Sequence, residues 1–146
     1  MVGVGAVLLD DRQRVLFIRR GSHPGRGKWS FPGGLVRVGE PLRRAARREA
    51  LEETGLEVDL QDVVQVVEKV ERDDEQRVEF HYVIIDFIGT VLGGELRAAD
   101  DVTDARWIDL DQPCDLPLTN DALDVARRAR DLANGRQPRI PLYLEE

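Results

Sequence analysis

Three glutamates, Glu49, Glu52 and Glu53, fall within five positions of the segment RREALEETGL. On a helix Glu49 lies one turn from each of the other two, and like charges at that spacing repel by a few tenths of a kcal/mol. At 100° per residue Glu49 and Glu53 flank the line of Leu42, with Ala45, Ala46 and Glu52 close by, while Arg43, Arg44, Arg47 and Arg48 take the opposite arc. A solvated helix face would mix the two signs. Here the acids share the side of the small apolar residues that should face the protein. Unpaired carboxylates held there are costly, and the economical partner for such a cluster is one or more hard divalent cations bound through oxygen. Arg48 can reach Glu52 at i,i+4 and fix its rotamer, which makes it a supporting residue rather than a ligand. Gly33 and Gly34, just ahead of the helix, let the backbone pass close to a ligand or turn a carbonyl toward a metal, although a plain turn also accounts for a Gly pair.

The elements that must position these groups follow from the pattern. VGAVLLDDRQRVLFIRR reads as a hairpin of two apolar strands, around Val4–Leu9 and Val15–Arg19, with a polar turn at Asp10–Arg12. The Gly- and Pro-dense GSHPGRGKWSFPGG, Gly21 to Gly34, reads as a loop anchored by Trp29 and Phe31. Pro41 suits the first turn of a helix that Gly55 ends. Two long strand-like runs follow, with a charged turn near Asp73–Glu75, then a short strand ARWIDL and an amphipathic helix in TNDALDVARRARDLANG carrying Leu123, Ala126 and Leu132 on one side. This order predicts an α/β chain with a mixed sheet between helices, one domain over residues 1–146, without internal repeats.

The segment from Gly34 to Leu56 resembles a Nudix box. It has Gly34, five residues, Glu40, seven residues, then Arg48-Glu49-Ala50-Leu51-Glu52-Glu53-Thr54-Gly55-Leu56, filling every fixed position of that 23-residue signature. The resemblance implies the Nudix fold, an α/β/α sandwich, and hydrolysis of a nucleoside diphosphate linked to another group with Mg²⁺ or Mn²⁺ and water. It makes Glu49, Glu52 and Glu53 metal ligands and catalytic groups, with the Gly33 carbonyl an extra ligand and Glu40 and Arg48 organising loop and helix. Bound cations would neutralise the charge of the pyrophosphate and lower the pKa of an attached water.

The family's general base is either a box glutamate or an acid on a separate loop. AADDVTDARW offers Asp100, Asp101 and Asp104, of which Asp101 matches best by its distance from Trp107; a solvated turn is the plainer account of such a run. Arg19 and Arg20, with Arg26 and Lys28, supply a local positive field for phosphates, and Phe31 joins Arg19 and Arg20 among the substrate-binding candidates. His23 and His81 have no partner at ligand spacing. YVIIDFIG, GGEL, ADDVTDARWIDLD and LPLTNDALDVARRA look similar to the bacterial and archaeal group assigned to ADP-ribose pyrophosphatase. Arg72 stands where many of those enzymes carry a proline, and the tyrosine of dinucleoside-polyphosphate enzymes is missing there too. The rival reading is a house-cleaning enzyme for damaged nucleoside triphosphates such as 8-oxo-dGTP, with Asn120 reading a purine edge. Asn120 is also an excellent helix N-cap before DALDVARRA, which is the plainer account of it. Non-catalytic Nudix sensors commonly lose box glutamates, and this chain keeps them all.

Bulk properties agree. The 146 residues are 42% hydrophobic and 34% charged, which suits one soluble domain with a core. A formal net charge of −7 disfavours a nucleic-acid surface. No apolar run long enough for a bilayer and no signal peptide stand in the sequence, so the expectation is a cytoplasmic protein without a membrane partner. The single Cys114 can form neither an internal disulfide nor a zinc site. Homodimers are frequent in the family, and the tail PRIPLYLEE packs either on its own sheet or on a second subunit.

Overall fold

An apolar run such as VGVGAVLL can be buried on both faces only in the middle of a sheet, and β1 (Val2–Leu9) occupies that place. The computed structural model describes residues 1–23 and 25–142. In chain order the other elements are β2 (Val15–Arg20), β3 (Trp29–Ser30), β4 (Gly33–Leu35), α1 (Leu42–Thr54), β5 (Leu56–Arg72), β6 (Val78–Gly94), β7 (Val102–Ile108) and α2 (Ala122–Ala133). The sheet runs β3-β2-β1-β6-β5, with β4 also on β1 and β7 on β2. It is mixed, because β1 and β6 are parallel while the other pairs are antiparallel.

The expected hairpin forms but hardly pairs. β6 takes one whole edge of β1, β4 takes Gly3 to Gly5 on the other, and the Pro32 carbonyl accepts from Ala6 N. That leaves the Leu9–Val15 pair for β2, which ladders instead along β7 from Val15 to Arg20. The segment Gly21–Gly34, expected as a loop, contains two short strands. Trp29 pairs with Arg19 and is buried, and Gly33 and Gly34 join β1. Ladder bonds belong to the backbone, so side chains typical of loops did not reveal them.

Each helix covers one face. Ala45, Ala46 and Ala50 of α1 sink into a core with Val4, Ala6, Leu8, Leu16 and Phe87. Ala122, Val125, Ala126 and Ala129 of α2 pack on Val7, Val15, Phe17 and Ile88, with Leu123 and Leu132 at the margin. Pro41 stands just outside α1 as its N-cap, and Gly55 ends it with φ 73°. Asn120 is not the N-cap of α2. Asp121 holds that position in a left-handed conformation without a side-chain capping bond, and the Thr119 carbonyl accepts from Ala122 N. The charged turn between β5 and β6 forms around Asp73, whose carboxylate accepts from Glu75 N and Arg77 N, both at 2.9 Å. In the tail Ile140 bridges to Val63 and packs with Leu142 on the α1 side of the core; the rest of PRIPLYLEE, residues 143–146, lies outside the described residues. No helix among the described residues is long and apolar enough to cross a membrane.

Candidate active site

β4 lays its two glycines along the acidic side of α1. A β-carbon on Gly34 would stand 2.4 Å from Glu49 Cδ, so glycine is what lets that carboxylate lie against the strand. Gly33 N donates to Glu53 Oε2 at 3.1 Å. The N–H and C=O of one residue in a strand leave by the same edge, so the Gly33 carbonyl turns to the side on which Glu53 sits.

Arg48 belongs by helical angle to the opposite arc, yet its long side chain returns to the acids. Nε and Nη2 grip Glu40 at 2.7 and 2.9 Å, Nη1 reaches Glu49 at 2.6 Å and Glu52 at 3.2 Å, and Nη2 also donates to the Leu35 carbonyl at 3.1 Å. This fork ties the loop before the helix to the helix itself. Its bond to Glu40 holds that carboxyl down at about 2, against a burial effect of opposite sign and with help from Arg37 N. The same bond holds the guanidinium well above its usual range.

Glu53 is in the opposite situation. It is only 8% exposed, and burial pushes its pKa up to about 8. The charges of Glu49 and Asp100 push the same way, while the Gly33 N–H and the charge of Arg20 pull it down. Among the described residues no three His, Cys, Asp or Glu side chains converge closely enough to hold a metal ion by themselves. The arrangement suits an open cation site: a buried carboxylate whose ionisation is opposed, a second carboxylate beside Gly34, Glu52 at the exposed rim and a backbone carbonyl nearby. Mg²⁺ favours such sites, since it keeps several waters and takes one or two carboxylates plus phosphate oxygens.

The other candidates divide. Arg20 closes β2, and its charge reaches Glu53. Arg19 instead donates through Nε to Thr103 at 2.7 Å and lies over the Trp29 ring at 5.9 Å. Phe31 stacks on Phe17 with centroids 5.1 Å apart, at the margin of the α2-side core. Asp101 accepts from Ser22 Oγ at 2.5 Å, and its carbonyl accepts from Gly21 N. The loop acid whose charge acts on Glu53 is its neighbour Asp100, which sequence reasoning passed over; Ala99 N bonds the Glu53 carbonyl and brings this loop to the end of α1. Asn120 is exposed and follows the segment that bridges Trp29 through Leu118. His81 pairs with Glu68 at 2.8 Å on the β5–β6 hairpin.

The spacing of the acids, the glycine edge and the sandwich around them coincide with a sequence match to the NUDIX domain over residues 1–129. The chain belongs to the Nudix family. Over 103 residues it is 36% identical to the ADP-ribose pyrophosphatase of Methanocaldococcus jannaschii, covering 70% of this chain and 59% of that protein. Over 136 residues it is 32% identical to a Bacillus subtilis protein named "Putative 8-oxo-dGTP diphosphatase", covering 92% of this chain and 81% of the relative. The chain thus spans less than two thirds of the archaeal relative and most of the bacterial one. Among solved structures, the Nudix domain of Shewanella oneidensis NrtR in complex with ADP ribose superposes with a TM-score of 0.69 at 25% identity, covering 91% of this chain and 88% of that one. A MutT Nudix hydrolase from Burkholderia pseudomallei reaches 0.75 at 29% identity, covering 87% and 95%. The sheet between two helices is therefore the Nudix α/β sandwich.

Proposed function

We propose that this Nudix domain hydrolyses the pyrophosphate bond of a nucleoside diphosphate linked to a second group, ADP-ribose or a similar nucleotide derivative, with Mg²⁺ or Mn²⁺. The observation that carries the reading is the meeting of Glu49 and Glu53 at the glycine edge of β4, with burial opposing the charge of Glu53. Glu49, Glu53, Glu52 and the Gly33 carbonyl would hold the cation, which supplies charge neutralisation on the anhydride and a more acidic water.

The chain's own groups divide the remaining work. Arg48 keeps Glu49 and Glu52 in place. Arg20 adds positive charge beside Glu53 for the phosphates. Glu53 is the base in this reading: the water oxygen bonds to phosphorus, its proton passes to the Glu53 carboxylate, and the P–O bond to the leaving phosphate breaks with its electron pair. Glu53 must be ionised to take that proton, and a cation beside it would favour the ionised form against the burial that opposes it in the metal-free protein. Asp100 and Asp101 line the adjoining loop and tune the site without being needed for the transfer.

The test is product analysis after incubating the protein and Mg²⁺ with ADP-ribose, sugar nucleotides, dinucleoside polyphosphates, ordinary nucleoside triphosphates and 8-oxo-dGTP. AMP plus ribose 5-phosphate from ADP-ribose is the expected result. Nucleoside monophosphate plus pyrophosphate from 8-oxo-dGTP alone would replace it with the sanitising reading, the activity for which the Bacillus relative is named. No hydrolysis of any of them would overturn both.

A further inference from the structure

Asp86 is a buried acid for which the chemistry above has no use. It lies in β6 and is 6% exposed, yet it stands in the middle of a sheet where an apolar side chain would cost nothing to bury. The strand registers put four residues in one row across the sheet: Gly33 of β4, Gly5 of β1, Asp86 of β6 and Gln65 of β5. Asp86 Oδ2 accepts from Gln65 Nε2 at 2.9 Å. Oδ1 hangs over Gly5, where a β-carbon would stand 2.2 Å from it. Among the described residues no buried side-chain polar atom lacks a partner, so Oδ1, which Gln65 does not serve, stays within reach of solvent. Burial lifts the Asp86 carboxyl above its usual range and Gln65 alone works against that, so an additional N–H donor on Oδ1 would restore the anion.

The surroundings suit a flat ring. Side chains alternate faces along a strand, so Tyr82 and Ile84 share the face of Asp86. Opposite them Gly3 and Gly5 leave β1 without side chains, Gly3 beside Ile84 and Gly5 beside Asp86. Tyr82 stacks on Phe80 with centroids 5.7 Å apart, and the charge of Arg20 is felt at Tyr82 as it is at Glu53. Two strand spacings of about 4.8 Å separate Asp86 from Gly33, the residue that holds Glu53. Ile85 and Phe87 turn to the α1 side of the sheet, so Asp86 turns to the α2 side, and a nucleotide with its phosphates at the β4 edge would reach it by laying its base over Gly3 and Gly5.

We infer that Asp86, oriented by Gln65, reads the base of the substrate by accepting a hydrogen bond at Oδ1 from its exocyclic amine. The assignment rests on the nucleotide reading above and adds a base class to it: amino-bearing bases over counterparts that lack the exocyclic amine. Gln65 acts through Asp86 as a positioning residue.

The experiment compares kcat/KM for matched pairs that differ by the amine, ADP-ribose against its hypoxanthine analogue and 8-oxo-dGTP against 8-oxo-dITP, in wild type, Asp86→Asn and Gln65→Leu. Wild type should prefer the amino base of the pair it hydrolyses by about ten-fold or more, the scale of one hydrogen bond to a charged group. Asp86→Asn should bring the ratio close to one or invert it. Gln65→Leu should lower the ratio by less, and it carries the test alone if Asp86→Asn fails to fold. An unchanged ratio in a folded variant overturns the base assignment and leaves the hydrolase reading standing. Absence of turnover on every substrate removes the hydrolase reading, and the base assignment with it.

Discussion

The two ends of the carboxylate cluster are treated in opposite ways. At one end Arg48 lies among Glu40, Glu49 and Glu52 and meets their charge with its own five donors. At the other, Glu53 is the more buried acid and receives a single backbone N–H from Gly33 with only the more distant charge of Arg20 in its favour. The first end is finished when the chain folds. The second is left in deficit, and that deficit is what a divalent cation can fill. In the proposed site the rigid part of the cluster is thus separate from the part that would hold the cation and react.

The sharpest way to break this contrast is to neutralise Glu53. Glu53→Gln should lower turnover by about a thousand-fold or more, as loss of a base and a ligand together, and should raise the melting temperature of the metal-free protein at pH 8. A slower, destabilised enzyme would instead make Glu53 an ordinary buried residue. Next comes Arg48→Ala, expected to weaken Mg²⁺ binding about ten- to a hundred-fold by releasing Glu49 and Glu52, measured by metal titration of the activity; unchanged affinity would show that the acids hold their own positions.

The same contrast has a pH signature. The folded pKa of Glu53, about 8, lies above the ordinary 4.5. The folded state therefore binds the extra proton between these values, and metal-free stability should fall as pH rises from about 4.5 to about 8 and level off above, by roughly 5 kcal/mol. Thermal melts across that range should show the slope in wild type and lose it in Glu53→Gln or under saturating Mg²⁺. Glu40, held at about 2, contributes in the other direction only at far lower pH, where stability is lost as it protonates. The smallest effects belong to the loop. Asp100→Asn should relieve Glu53 and lower its pKa slightly, visible as a modest shift of the pH–rate profile, whereas Asp101→Asn should release Ser22 and change turnover by less than about three-fold. If Asp101→Asn proved the more damaging, the base would lie on the loop.

Much of this was legible because side-chain type and spacing carry it. The acidic arc of α1, the box glycines, the charged turn at Asp73 and the apolar face of α2 are each written in a few adjacent residues. What stayed hidden depends on partners distant in sequence. β3 and β4 are held by backbone groups paired with Arg19 and with Gly3 to Gly5, which leave no mark in a Gly- and Pro-rich stretch. Asn120 had the side chain for a cap, but the chain reaches Asp121 in a left-handed turn fixed by the bridge from Leu118 to Trp29. Helical spacing gives Arg48 one partner, Glu52, and the fold gives it three, because its side chain also meets Glu49 and Glu40 of the preceding loop. Asp86 drew no notice among the apolar residues of YVIIDFIG until the register set it between Gly5 and Gln65.

The pairing of β1 with β6 also bears on how the protein is made. Val2 to Leu9 leave the ribosome about eighty residues ahead of their parallel partners, Val83 to Thr90. Until those arrive, one of the most apolar segments of the chain has an unfilled edge, and the loop that must close is long. The nascent strand can be shielded only provisionally, by β4 on one side, so the period between synthesis of β1 and of β6 is when its apolar edge is most open to wrong pairing.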